Sequence, residues 1–295
     1  MTPLIIADDF SGACDAAARA ALHGWSAAAL LASPVEGVHA DLLAISTESR
    51  HALPRAARAC MRSLAPFLRG RPLYKKIDST LRGPWIDEVD ELLSLTDYSQ
   101  AVVCPAFPAQ GRTVRNGWLC VDDQPVQQIR CPFTVRDAST EDDLARIASE
   151  VCSSILPVGS AGLALHVFQR DARPPASSPA PLPATAGPWI VLIGSDQPAS
   201  QIQLQYVAAF APQDMLLNPA SYPDSPAGVF ASGGETASCF LRDSGAHGVT
   251  ALRELLPGIP AGLILGGRYN GTVMITKAGG FGAPDAILQA IQSLQ

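Results

Sequence analysis

The sequence predicts an α/β protein of two domains, each a mainly parallel sheet flanked by helices, with the site in the cleft between them. Three observations carry this expectation. Short, wholly apolar runs such as Leu4–Ala7, Val102–Pro105 and Trp189–Ile193 suit strands buried on both faces, as parallel sheets require. Helix-forming stretches alternate with them, separated by turns rich in glycine and hydroxyl residues. An interval rich in Pro, Ala and Ser, Asp171–Pro188, has the composition of a semi-rigid linker and divides the 295-residue chain. The expected domains are therefore 1–170 and 189–295, with the linker at 171–188.

Composition narrows the class. Apolar residues make up 47% and charged residues 16%, which allows a sizeable core and excludes global disorder. A net charge of -6 without a basic stripe argues against a nucleic-acid binder. The seven cysteines are scattered, with no C-x-x-C pair and no zinc-like His spacing, as expected of reduced thiols in a cytoplasm. Neither a leader-like start nor a bilayer-spanning apolar stretch is visible, so a soluble, cytoplasmic protein is expected.

In chain order, Leu4–Ala7 is the first strand and Ala13–Leu22 a helix ended by Gly24. Asp9 or Ser11 can cap that helix, but a cap needs one such residue. Two adjacent carboxylates, Asp8 and Asp9, stand where strand ends meet ligands in open α/β sheets. Asp41–Ser46 is a second strand, followed by Thr47-Glu48-Ser49-Arg50 and a helix over Pro54–Leu68. The apolar run Pro72–Tyr74 leads into Lys75-Lys76-Ile77-Asp78-Ser79-Thr80-Leu81-Arg82-Gly83. This stretch suits a small, anionic, hydroxylated ligand, with Arg82 forking a carboxylate and Asp78 accepting a hydroxyl. It equally suits a polar connection with a structural Lys–Asp pair. Trp118–Val121 and Pro125–Ile129 form a hairpin around Asp122-Asp123-Gln124, and Arg112 and Arg115 read as solvated charges. Thr140 with Asp143 starts a helix running to Leu156, and Gly159–Gly162 opens another to Phe168.

The second half has strands at Trp189–Ile193, Gly228–Ala231 and Thr272–Thr276, each followed by a loop rich in glycine or serine. The last helix spans Pro284–Leu294, with Pro near its first position. Consecutive N–H groups in Ser232–Ala237 and Lys277–Gly282 can converge on phosphate, helped by the helix N-termini. Lys277 would add a point charge; the alternative is that these glycines only permit tight turns. The chain has no G-x-x-x-x-G-K-[ST], no G-x-G-x-x-G and no protein-kinase motif. A polyol-acid half and a polyphosphate half together imply phosphoryl transfer from a nucleotide to a hydroxyl. Mg2+ would bridge the phosphates and a carboxylate would take the proton.

Ile6–Ala13, Thr47–Arg50, Lys75–Gly83, Pro105–Thr113 with Asn116-Gly117, Ser232–Ala237 and Lys277–Gly282 stand in the order found in the four-carbon acid sugar kinase family. The chain resembles that family over nearly its whole length. The resemblance implies an ATP-dependent kinase of threonate, erythronate or 3-oxo-tetronate, with an acid-sugar domain before a nucleotide domain. It places Asp8, Asp9, Arg50, Lys76, Asp78 and Arg82 at the sugar, with Ser49 and Ser79 beside them. It places Ser195, Gly233, Gly234, Glu235, Thr236 and Gly280 at the nucleotide, with Lys277 and Gly279 beside them; no protein metal site is expected. A homodimer is compatible with it. Two departures fall on the nucleotide side: the interval from Val207 to Gly228 is short, and the family's Gly-Ser-Cys-Ser is here Gly194-Ser195-Asp196-Gln197. They raise a second reading, a catalytically silent sugar-acid binder acting as sensor or subunit; a Rossmann-type oxidoreductase is a distant third. Among the carboxylates, Asp8 is expected to be the base, because its own loop holds no cation. Asp78 would then hold hydroxyls and Arg82 the carboxylate.

Overall fold

The computed structural model describes residues 2–32, 38–170, 172, 182–183, 187–212 and 215–294, the side chain of Ala251 excepted. The linker expected at 171–188 lies largely outside the described residues. The first half runs β1 (Leu4–Ala7), α1 (Phe10–Ala21), β2 (Ala27–Leu31), β3 (Leu42–Ser46), α2 (Pro54–Ser63), α3 (Ala65–Leu68), β4 (Leu73–Lys76), α4 (Trp85–Leu95) and β5 (Gln100–Cys104). A small antiparallel sheet follows, of β6 (Arg112–Arg115), β7 (Trp118–Val121) and β8 (Gln124–Gln128), then β9 (Thr134–Val135), α5 (Glu141–Glu150), β10 (Ile155–Gly159) and α6 (Ala161–Gln169). The second half contains β11 (Trp189–Ile193), α7 (Pro198–Phe210), β12 (Met215–Leu217), β13 (Gly228–Ser232) and α8 (Gly234–Asp243). It ends with β14 (Gly248–Leu256), β15 (Ile259–Leu265), β16 (Val273–Lys277) and α9 (Ala286–Gln292).

Instead of two separate sheets, thirteen strands form one, in the order β12-β11-β13-β16-β15-β14-β2-β3-β1-β4-β10-β5-β9. Each half contributes a parallel block. The antiparallel pair β14 and β15 connects them, β14 joining β2 through Gly248↔Leu30 and Val249↔Ala29. Helix α1 lies across this join and packs on strands of both halves. Its alanines make the close approach possible: Ala13, Ala16, Ala17 and Ala20 are wholly buried and bring little bulk between helix and sheet.

Several local expectations are corrected. The helix from Thr140 ends at Glu150, because Ile155–Gly159 continues as the buried strand β10. The run Pro54–Leu68 breaks at Leu64, ahead of a proline that cannot donate to the preceding turn. The last helix starts at Ala286 rather than Pro284. Strands β2, β14 and β15 and helices α4 and α7 are additions to the expected elements. The composition of β2, Ala-Ala-Ala-Leu-Leu, favours a helix, and only its place between β3 and β14 makes it a strand.

Candidate active site

The loops after β1, β3, β4, β11, β13 and β16 leave the carboxyl ends of strands in the parallel blocks. In the first half β1 lies between β3 and β4; the chain departs first to the β2–β3 side and later to the β4 side. The loops after β1 and β4 thus flank a switch point, where open α/β sheets leave a crevice. The loops after β11 and β13 do the same in the second half.

Two adjoining cavities open there. The larger, about 420 Å³, is lined by the loops after β11, β13 and β16 together with Asp8, Glu48, His51 and Arg242. The smaller, about 110 Å³, is lined by Gly12, Asp15, Lys76, Asp78, Ser79, Thr80 and Arg112, and closed by Ala278, Gly280 and Phe281. Asp9, Ser11, Arg50, Arg82 and Gln197 line both. A separate hollow of about 460 Å³, around Trp25, Tyr98 and Phe168, lies at the amino ends of the strands and shares none of these residues.

Arg50 is the hub of the wall. Its Nε and Nη2 fork onto Asp8 at 2.8 and 3.0 Å, its Nη1 donates to Asp9 at 2.5 Å, and Nη2 lies 3.8 Å from Asp78. Asp9 also caps α1, accepting from the Gly12 amide at 2.8 Å and the Ser11 hydroxyl at 2.9 Å. Burial pushes the Asp8 carboxyl up, but Arg50's charge and hydrogen bonds, with Lys75 and Lys76 behind, hold it below its ordinary value. Asp8's own loop holds no cation, as expected, but a cation from elsewhere in the chain holds it. Its partner comes from a loop forty-two residues away. Asp8 also faces the larger cavity alone, not the smaller one where the sugar acid was expected.

Asp78 is saturated. It accepts from the Thr80 amide at 3.1 Å and hydroxyl at 2.5 Å, and from Arg82 Nε and Nη2 at 2.8 and 2.7 Å. Burial opposes its ionisation, yet Arg82's hydrogen bonds and the charges of Arg50 and Arg82 drive its carboxyl well below the usual range. Arg82's two-point fork, expected to be free for substrate, is thus occupied from within its own loop.

Strand alternation separates the two lysines of β4. Lys75 turns to α4 and pairs with Glu88 at 2.9 Å, both side chains wholly buried. Lys76 turns to the smaller cavity, its Nζ donating to the Ile77 carbonyl at 3.0 Å. Ser49 is corrected too: it is buried, and its hydroxyl donates to Glu88 rather than facing a cavity. Ser79 does line the smaller cavity.

On the other side, Ser195, Gly233, Gly234, Glu235, Thr236 and Gly279 line the larger cavity, and Gly280 the smaller. Lys277 does neither. It is wholly buried, and its ammonium donates to the Ala278 and Phe281 carbonyls at 2.7 and 2.9 Å. Burial lowers its pKa to about 7. Lys277 shapes its loop and offers no point charge to the cavity.

The structure adds residues that spacing did not single out. Glu48 accepts from Ser238 of α8 at 2.5 Å, and burial raises its carboxyl. Arg112 reaches across the halves, with Nη2 donating to the Gly280 carbonyl at 2.9 Å. Asp15 lies in the second turn of α1, where burial raises its pKa to about 6 despite Arg19 and Lys76. A buried carboxylate on an otherwise alanine-rich helix face was the available signal for Asp15.

Among the described residues no cluster of three or more His, Cys, Asp or Glu could hold a metal ion, and no helix is long and apolar enough to cross a membrane.

Two family models match the chain. Residues 4–132 match a family model described as a sugar-binding N-terminal domain, and residues 215–287 one described as a nucleotide-binding C-terminal domain. A D-threonate kinase of Bordetella bronchiseptica is 30% identical over 402 aligned positions, covering 99% of this chain and 97% of the relative. A 3-oxo-tetronate kinase of Cupriavidus necator is 25% identical over 423 positions, covering 98% and 96%. Both alignments exceed the 295 residues here by more than a hundred positions, so these relatives carry segments without counterpart in this chain. A crystal structure from Salmonella typhimurium LT2 has the same fold, with a TM-score of 0.75 at 18% identity over the full length of both chains.

Proposed function

The chain belongs to the four-carbon acid sugar kinase family, and from that premise we propose that it transfers the γ-phosphoryl group of ATP to a hydroxyl of a four-carbon sugar acid such as threonate, erythronate or 3-oxo-tetronate. The observation that carries this reading is the shared wall: a small charged cavity and a larger glycine-lined one meet at Asp9, Ser11, Arg50, Arg82 and Gln197. The acid occupies the smaller cavity. The phosphates of ATP lie in the larger, against Gly194-Ser195, Gly279 and the amino end of α8 from Gly234, whose first turn has no side-chain cap and whose helix dipole favours anions.

Catalysis in such a site rests on positioning and charge neutralisation. Asp9 faces both cavities, whereas Asp8 and Asp78 face one each, so Asp9 takes the hydroxyl proton as phosphorus is attacked. Arg50, held by Asp8 and Asp9, brings fixed positive charge to the wall across which the phosphoryl group passes. A Mg2+ arriving with ATP would supply neutralisation of phosphate charge. Such ions keep waters and need only one or two protein carboxylates, which the exposed Asp196 and Glu235 fit.

The test is ADP release with Mg-ATP and the stereoisomers of threonate, erythronate and 3-oxo-tetronate, alongside calorimetric titration of each ligand. Turnover with at least one acid is expected. Acid binding without nucleotide binding would instead make the chain a silent sensor. Asn also caps helices, so Asp9→Asn should keep α1 and acid binding while lowering kcat by roughly 10²-fold or more. That pattern in Asp8→Asn and not in Asp9→Asn would transfer the role to Asp8.

A further inference from the structure

The smaller cavity holds four cationic side chains, and they are not equivalent. Arg50 is committed to Asp8 and Asp9, and Arg82 to Asp78. Arg112 is different. Its Nη1 donates to the Gln110 carbonyl and its Nη2 to the Gly280 carbonyl, both neutral acceptors. Among the described residues no carboxylate lies within ion-pair distance of it, although it is half-buried and burial works against its charge. Two of its five N–H donors are used and the guanidinium borders the cavity. Asp122 and Asp78 attract this half-buried guanidinium only from beyond ion-pair distance, so its burial is incompletely compensated in the empty site and is relieved by an anion from the ligand. Lys76, the fourth cation, also lacks a carboxylate within ion-pair distance among the described residues, but it is a point charge at the amino end of α1. It cannot form a planar fork.

We infer that Arg112 receives the carboxylate of the sugar acid, and so sets both the preference for acids over neutral polyols and the direction in which the chain of hydroxyls lies. This rests on the smaller cavity being the acid site. Arg112 starts β6, while the Gly280 carbonyl it holds belongs to the loop after β16, whose neighbour Gly279 lines the larger cavity. The residue that reads the carboxylate therefore also fixes the loop that borders the phosphates. It is a specificity and positioning residue, not a proton carrier.

The experiment is a cycle between a protein charge and a ligand charge. Wild type and Arg112→Gln are each measured with the preferred four-carbon acid and with the matching neutral tetritol, by calorimetric binding and by kcat/KM. The acid should lose about 10²-fold in affinity in Arg112→Gln, in the range of a charge-assisted, bidentate contact. The tetritol's affinity should change by less than about threefold, any loss of kcat shared by both ligands reports the freed loop after β16, and Arg112→Lys should restore part of the acid's affinity. Parallel losses for acid and tetritol would make Arg112 structural, and an unchanged acid preference would place the carboxylate elsewhere; either overturns the inference. Failure of turnover with acid binding and its Arg112 dependence intact would fall on the kinase reading alone. A wild-type protein that binds no four-carbon acid would remove the anchor along with its site.

Discussion

Asp15 shows how a single side chain ties the site to stability. It is buried beside the smaller cavity, with Arg19 only at 4.0 Å, and Arg19 itself leans toward Glu254 at 3.1 Å. Burial raises its pKa from 3.8 to about 6, so the folded chain holds this proton more tightly than the unfolded one. Folding stability must then fall as pH rises between those two values, and the loss is complete above about pH 6. Asp15→Asn removes the ionisation. Denaturant titrations should find the variant more stable than wild type above about pH 6, by on the order of 2–3 kcal/mol, and equal to it below about pH 4. A constant difference at all pH values would show that Asp15 is not the titrating group. The same scale explains why the charge around Asp8 escaped the sequence. A loop's own composition does not reveal its partner, and Arg50 reaches Asp8 and Asp9 only because β1 and β3 pair.

Helix α8 brings its first turn unusually close to another element. A Cβ at Gly234 would stand 2.3 Å from Asp9 Oδ2, and Gly233 ahead of it has φ of 108°. Both positions demand glycine, one for space and one for backbone conformation. Gly234→Ala should leave α8 formed, since alanine favours helix, but displace the Asp9 carboxylate from the shared wall. A thermal melt within a few degrees of wild type, with kcat at least tenfold lower, is the expected result; unchanged kcat would mean Asp9 has room to move. At this scale much was legible. Strand-to-loop-to-helix units, the Asp9 cap, the Thr140–Asp143 capping box and the glycine pairs all follow from local chemistry. What was not legible depends on distant packing. Lys277 looks like a phosphate ligand until its burial and two carbonyl partners are seen, and Arg112 looks solvated until the loop after β16 closes over it. The hairpin β14–β15 and the alanine-rich β2 take their identity from each other rather than from propensity.

Across the whole molecule, the halves meet at the cavities and along the sheet. Glu48 with Ser238, Arg112 with Gly280, and Gln110 with the Pro257 carbonyl at 2.8 Å cross from one to the other, while β14 continues the sheet at β2. That last contact is narrow, and Gly248 allows it: a Cβ there would stand 2.1 Å from the Ala29 carbonyl oxygen. The N-terminal half produced alone, residues 2–170, should self-associate through the bare β2, as multi-angle light scattering would detect; a monomeric, folded half would refute this. The join also has a consequence in time. On the ribosome β2 emerges more than two hundred residues before β14, so during synthesis an apolar strand waits with one edge of its amides and carbonyls unclaimed. The chain's most vulnerable moment is thus set by translation speed, and slow codons late in its message would prolong the interval in which nascent copies can pair with one another.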